Sequence, residues 1–303
     1  LEENTTGSFN VAIGKNALDD STTGQKNVAV GHHAGSDLTS GELNTFVGYE
    51  AAADFSGTGT TAIGGSALRL NTASNNTAVG REAAYNNTSA DYITAIGYRA
   101  LYTNTTGTGN TALGYEALYS NTTGGQNQAF GYECLETNST GAHNSGFGYK
   151  ALNVNTTGGY NTAVGNYALD ANTTASNNVA IGYGALGSNT TGASNVAVGT
   201  NALTSVTTTE GHTAVGGNAL TSNTSGSYNT AIGLDSLTAN TTGAHNTAIG
   251  ANALDASTTA SQNTAVGREA LTSCTTGTRN TGLGYVALQS VTTGGNNLAI
   301  GAY

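Results

Sequence analysis

A pentad of the form Asn-Thr-Ala-Ile/Val-Gly returns along this chain at almost every seventeenth position, and that period admits few architectures. Its closing glycine stands at Gly14, Gly31, Gly48, Gly64, Gly80, Gly97, Gly114, Gly131, Gly148, Gly165, Gly182, Gly199, Gly216, Gly233, Gly250, Gly267, Gly284 and Gly301. Two steps, between Gly48 and Gly80, are one residue shorter than the rest. The consensus unit reads N-T-T-G-x-x-N-T-A-[I/V]-G-Y-x-A-L-x-x, and its positions are numbered 1–17 below. Seventeen residues hold short strands and turns, whereas helical repeats need about 33 residues or more. Thr, Asn and Gly at this density also disfavour helix. The expected fold is therefore all-β, a parallel β-roll or β-solenoid of 18 coils running as one continuous array over 1–303.

Each column predicts a place in the coil. The tenth position is always a large apolar residue and reads as core: Ile13, Val30, Val47, Ile63, Val79, Ile96, Leu113, Phe130, Phe147, Val164, Ile181, Val198, Val215, Ile232, Ile249, Val266, Leu283 and Ile300. The fifteenth, mostly Leu, reads as a second core column. Side chains alternate along a strand, so the ninth position, Ala in 15 of 18 coils, faces the other way. Small residues there predict a face where chains approach closely and associate laterally, most simply as a parallel trimer. A thin core supports the same expectation, because two large side chains per coil contribute about 1.5–3 kcal/mol each. Ordering the backbone costs about 1–2 kcal/mol per residue. The seventh position is Asn in 15 of 18 coils, with Thr60, Ile93 and His212 as exceptions. Stacked asparagines form amide ladders, here expected along Asn110, Asn127, Asn144, Asn161, Asn178 and Asn195. The N-T-T-G segment is turn chemistry.

Composition narrows the function. Eight Lys and Arg residues against 18 Asp and Glu, scattered without a basic stripe, argue against nucleic acid. No apolar run is long enough for a membrane helix. Cys134 and Cys274 lie about eight coils apart, too far for a disulfide at a rise of about 4.8 Å per coil. Neither terminus carries a capping repeat, which suggests a segment of a longer array or a protomer continued by another chain.

The pentads Asn161-Thr162-Ala163-Val164-Gly165 and Asn178-Val179-Ala180-Ile181-Gly182 resemble the signature of trimeric autotransporter adhesin heads of the YadA-like kind. The unit Gly114-Tyr115-Glu116-Ala117-Leu118-Tyr119-Ser120-Asn121-Thr122-Thr123-Gly124 resembles arrays in bacterial surface proteins and phage-type tail fibres. The resemblance spans essentially the whole chain. It implies a left-handed roll, a homo-oligomer that is usually a trimer, and a place at the cell surface or on an extracellular fibre. The 17-residue unit is longer than that of the adhesin heads, which is about 14.

Few residues suggest chemistry. His32 and His33 are adjacent in one turn with Asp37 nearby, but neighbouring side chains need not converge on a metal, and a solvated turn is the plainer reading. No phosphate loop, calcium loop or nucleophile elbow is present, and no cofactor is expected. Glu116 and Glu133 occupy one column in adjacent coils, the spacing at which retaining glycosidases hold a carboxylate pair, although a surface charge ladder is the plainer reading. Tyr98, Tyr115, Tyr132 and Tyr149 also share a column, either as a support for the roll or as a strip for sugar rings. Asn-x-Ser/Thr triplets at Asn104, Asn121, Asn138, Asn155, Asn172 and Asn189 lie in the N-T-T-G turn, where attached glycan would be tolerated. Paired threonines in that turn also raise ice binding, though a neighbouring glycine turn offers no flat face. The leading expectation is a non-enzymatic, structural or adhesive segment of an extracellular fibre, with self and environmental or host glycan as partners. The alternatives are a glycan-binding or glycan-cleaving solenoid and a self-polymerising filament subunit.

Overall fold

In a computed structural model, which describes residues 1–302, the chain is an all-β parallel solenoid with about seventeen residues in each coil. Among the described residues no helix is long and apolar enough to cross a membrane. Two compact units are present: Leu1–Lys150 with Asn155–Thr157, and Ala151–Val154 with Gly158 onward. The first carries nine three-residue strands, from β1 (Val11–Ile13) to β9 (Ser145–Phe147). The second carries nine more, from β10 (Thr162–Val164) to β18 (Leu298–Ile300). Within each unit successive strands pair in parallel with like residues side by side, as in Thr94↔Thr111 and Ile96↔Leu113, or Thr230↔Thr247 and Ile232↔Ile249.

Both shortened coils keep this register. Val47 still faces Ile63, and Ile63 faces Val79. The missing residue comes from the N-T-T-G turn, which shortens to Phe55-Ser56-Gly57 and Asn71-Thr72-Ala73. A strand that slipped by one residue would turn its inner side chain outward, so the turn is where a deletion is tolerated.

The tenth column is not the core. None of Ile13, Val30, Val47, Ile63, Val79, Ile96, Leu113, Phe130, Phe147, Val164, Ile181, Val198, Val215, Ile232, Ile249, Val266, Leu283 or Ile300 is buried; Leu113, for example, is 44% exposed. The strand's inward residue is the ninth: Ala29, Ala62, Ala112, Ala163 and Ala248 are fully buried. The reason is the width of the roll. A Cβ placed on Gly282, at the ninth position, would stand 3.1 Å from the Ala287 carbonyl oxygen and 3.5 Å from Leu271 Cγ. The wall opposite the strand, built from positions 14 and 15, thus leaves room for little more than a methyl group. The alanines expected to join chains therefore fill the interior, together with the buried leucines from Leu18 to Leu271.

One exception is matched by compensating changes. Phe46 replaces the ninth-position Ala and is fully buried, edge-on to Phe55 at 5.2 Å between ring centres. In place of the usual Leu at position 15, the preceding coil has Gly35 and the coil of Phe46 itself has Ala52. A Cβ on Gly35 would lie 2.5 Å from Phe46 Cδ2, so the ring occupies the space that leucine fills elsewhere.

Two amide ladders line the interior. At the seventh position, each Asn Oδ1 accepts the backbone N–H of the next Asn, as from Asn127 to Asn110 (2.8 Å), Asn178 to Asn161 (3.0 Å) and Asn195 to Asn178 (2.9 Å). Nδ2 groups of the column donate to a turn carbonyl of the following coil, as Asn110 does to Gly124 (2.7 Å) and Asn178 to Gly192 (2.9 Å). The expected ladder is present, but most of its rungs run from side chain to backbone. The first position forms a second ladder that the sequence reading passed over. Asn104 Nδ2 donates to Asn87 Oδ1 (2.9 Å), Asn121 to Asn104 (2.7 Å), Asn138 to Asn121 (2.9 Å) and Asn155 to Asn138 (2.7 Å). Asn189 donates to Asn172 (3.3 Å) in the second unit.

This ladder overturns the glycosylation reading. Asn104, Asn121, Asn138, Asn155, Asn172 and Asn189 are fully buried. Their amide nitrogens point into the roll, where no transferase reaches and no sugar fits. In each triplet the exposed part is the threonine, while the asparagine turns inward to satisfy backbone that would otherwise be unpaired.

Candidate functional site

The outer surface of the first unit concentrates aromatic and charged residues on the segment that follows each strand. Gly at position 11 opens this segment. At positions 13 and 15 the backbone is left-handed: φ is 51° at Glu116 and 53° at Leu118. Such values are costly for side-chain-bearing residues. They persist because successive N–H groups are drawn to opposite neighbours. Glu116 N–H donates to the Tyr98 carbonyl of the preceding coil (3.0 Å), and Leu118 N–H to the Cys134 carbonyl of the next (3.0 Å). Position 15 thereby turns inward as Leu, while positions 12, 13 and 16 form the flank.

Tyr98, Tyr115, Tyr132 and Tyr149 are brought together on that flank. Their ring centres are 5.4, 4.9 and 5.3 Å apart, with planes 25°, 8° and 12° from parallel. A parallel column at position 16, not noticed in the sequence, joins Tyr85, Tyr102 and Tyr119 at 5.5 and 5.3 Å. Its signal was the same spacing as in the first column, hidden at a variable position. Arg99 sits between the columns, 5.0 Å from the Tyr98 ring centre and 5.2 Å from that of Tyr102. Its Nε donates to Glu82 Oε2 at 2.6 Å. That bond holds the Glu82 carboxyl below its ordinary range, against the opposing effect of partial burial.

This geometry weighs against the sugar-strip reading, and against Glu133 as the proton donor of a carboxylate pair. Sugar rings dock on open aromatic faces, whereas these faces are turned toward one another and the column offers edges and hydroxyl groups. Glu133 forms an ion pair with Lys150 at 3.0 Å. Partial burial pushes its carboxyl upward, but hydrogen bonds from Lys150 and Tyr132 outweigh that and hold it ionised. A general acid needs the opposite shift. The hydrogen bond to Glu133, with partial burial, pushes the Tyr132 hydroxyl up to about 12, so it stays neutral.

The doubly substituted Tyr115→Ala, Tyr132→Ala protein is expected to lose about 2 kcal/mol in urea denaturation, since each stacked pair contributes about 0.5–1.5 kcal/mol beyond its buried area. Its glycan-array profile is expected to match that of the wild type; loss of a specific glycan signal at unchanged stability would restore the sugar-strip reading.

The remaining candidates are accounted for locally. His32 stacks on Tyr49 at 5.5 Å, and His33 Nε2 lies 3.4 Å from Asn16 Nδ2. Among the described residues no group of three His, Cys, Asp or Glu side chains could hold a metal. Cys134 and Cys274 are free and buried, and burial pushes the Cys134 thiol up to about 12.

His212 takes the place of a ladder asparagine. Its N–H donates to Asn195 Oδ1 (3.0 Å), and its Nδ1 accepts the Asn229 N–H (3.3 Å). Its Nε2 lies 2.9 Å from Thr209 Oγ1 and 3.3 Å from Asn223 Nδ2. Burial depresses its pKa to about 4, against a partly compensating backbone hydrogen bond. The unfolded chain therefore takes up a proton near pH 6.5 that the folded chain refuses until about pH 4. Stability is complete above pH 6.5 and falls as the pH drops through that window, by about 3 kcal/mol. His212→Asn, measured against wild type by urea denaturation from pH 7.5 to 4, is expected to remove that difference. Parallel pH curves would show that His212 is not the group responsible.

No known protein family has a model that matches the chain, and a search of curated proteins finds no match.

Proposed function

We propose that this chain is a non-catalytic structural and adhesive segment of an extracellular or cell-surface fibre that associates with further copies of itself. The observation carrying the reading is the way each coil is completed by its neighbours. Strand, turn and both asparagine ladders hydrogen-bond from one coil to the next, and the interior is filled by Ala, Leu and amide groups. Such a design gives mechanical continuity within each unit and fills the space that an interior substrate cleft would need. The alanines are consumed by the core, so association falls to the aromatic flank. Tyr115, Tyr132 and Tyr149 there are 41%, 43% and 38% exposed, and aromatic residues are enriched at protein interfaces.

Two measurements test the reading. Immunogold labelling of producing cells is expected to mark surface fibres, and gold confined to the cell interior would overturn the proposal. Analytical ultracentrifugation is expected to give a homo-oligomer that Tyr115→Ala, Tyr132→Ala weakens. A monomer at all concentrations would remove the self-association.

A further inference from the structure

The face that the tenth column occupies has a composition and a regularity unlike the rest of the surface. Its two outward columns are positions 8 and 10, and none of their 36 residues is charged. Each unit contains five successive coils in which Thr stands at position 8 beside Val, Ile or Leu at position 10. They run from β3 (Thr45–Val47) to β7 (Thr111–Leu113), and from β13 (Thr213–Val215) to β17 (Thr281–Leu283). Parallel pairing in register places hydroxyl beside hydroxyl and aliphatic group beside aliphatic group, as in Thr247↔Thr264 and Ile249↔Val266.

A second observation concerns the hydroxyl groups themselves. Threonines of the N-T-T-G turn donate to the next coil, as Thr241 Oγ1 does to the Thr258 carbonyl (3.1 Å) and Thr105 Oγ1 to that of Thr122 (3.0 Å). Among the described residues, no position-8 threonine hydroxyl has a protein partner. These groups are partly exposed and left for water. The backbone beneath them is fixed: Thr247 N–H donates to the Asn263 carbonyl (2.8 Å), and Gly250 N–H to that of Ile232 (2.7 Å).

We propose that this outward strand face binds ice, its ligand being the ordered water layer at the surface of a growing crystal. Solenoid geometry sets successive hydroxyls about 4.8 Å apart along their row, and that row about 6.7 Å from the aliphatic row across each strand. The coil-to-coil spacing lies close to the shorter repeat of the hexagonal ice lattice. Water over the aliphatic row cannot hydrogen-bond to it and orders with its own kind. The adjoining hydroxyl row pins that layer in register. An ionic group would orient water out of the lattice, and this face holds none. The turn threonines do not serve in this way, because their hydroxyls are already committed to backbone carbonyls. The inference does not depend on the fibre reading, which rests on the aromatic flank.

The test uses the full chain in a nanolitre osmometer, together with an ice-recrystallisation assay. Wild type is expected to separate freezing from melting temperature, to facet the seed crystal and to suppress recrystallisation. The variant Thr230→Gln, Thr247→Gln, Ile232→Phe, Ile249→Phe breaks the face of the second unit and leaves that of β3 to β7 intact, so it is expected to weaken all three effects clearly. It should fold, because Gln128 already stands at position 8, and Phe130 and Phe147 at position 10; circular dichroism and a thermal melt check this. A second variant, Thr230→Val with Thr247→Val, keeps shape and removes only hydroxyl groups, and is expected to weaken the activity. Wild type that neither shapes ice nor separates the two temperatures overturns the proposal, whether because the face is inert or because a second copy covers it. Full activity in the folded quadruple variant overturns it as well.

Discussion

Gly233→Ala is expected to cost about 4 kcal/mol or to prevent the surrounding coils from folding, whereas Gly217→Ala, in the preceding coil, should change stability by less than about 0.5 kcal/mol. Gly233 holds φ at +135°, a region that a Cβ makes strained. That Cβ would also stand 2.6 Å from both the carbonyl carbon and oxygen of Gly250. Both atoms are backbone and belong to the same column, so relief would require parting two coils and breaking the bond from Gly250 N–H to the Ile232 carbonyl. At Gly217 the nearest atom to an added Cβ is Leu234 Cδ1 at 3.4 Å, ordinary contact with a side-chain end. Equilibrium denaturation gives the size of each effect, and hydrogen exchange at Gly250 shows whether the damage is local. Equal stability of the two variants would mean that the column tolerates a side chain after all.

Asn127→Leu is expected to cost about 3–4 kcal/mol, because each buried group left unpaired costs about 1–3 kcal/mol. The substitution removes the Oδ1 that accepts the Asn144 N–H at 3.0 Å and the Nδ2 that donates to the Gly141 carbonyl at 2.8 Å. Leucine has the same branching and heavy-atom count as asparagine and is more apolar, so a core that valued only apolarity would gain from the change. Asn127→Asp separates the two halves of the amide: it keeps an acceptor for Asn144, loses the donor to Gly141 and introduces a buried charge. Its deficit should be at least as large at pH 7 and shrink as the carboxyl is protonated on acidification. A neutral or stabilising Asn127→Leu would show that the ladder contributes nothing net.

The period, the parallel register and the special status of the closing glycine were legible in the sequence because each follows from identity between coils. Inside and outside were less legible. A column of Val, Ile, Leu and Phe suggests core on hydrophobic grounds, but the available radius decides here, and it admits alanine. The informative signal was variation: the tenth column ranges from Val to Phe, while the ninth is Ala except at Phe46, Gly146 and Gly282. A position that accepts four different side chains, from Val to Phe, has open space beside it. The second asparagine ladder was missed for a different reason. Asn-Thr-Thr satisfies the glycosylation pattern and ordinary turn preferences equally well, and neither reading asks where the amide points. A residue repeated at the coil period is above all a residue stacked on itself.

Nearly every contact that defines a coil is made with the coil before or after it, and this bears on how such a chain can change over generations. Gain or loss of a whole 17-residue unit by misaligned copying of the gene presents the same glycine, amide and alanine surfaces at the new junction. Length can therefore drift without passing through an unfoldable intermediate. The block around Phe46 is where that freedom stops. Its ring requires Gly35 in one neighbour, so the two coils can be duplicated or discarded only together, as one inherited cassette.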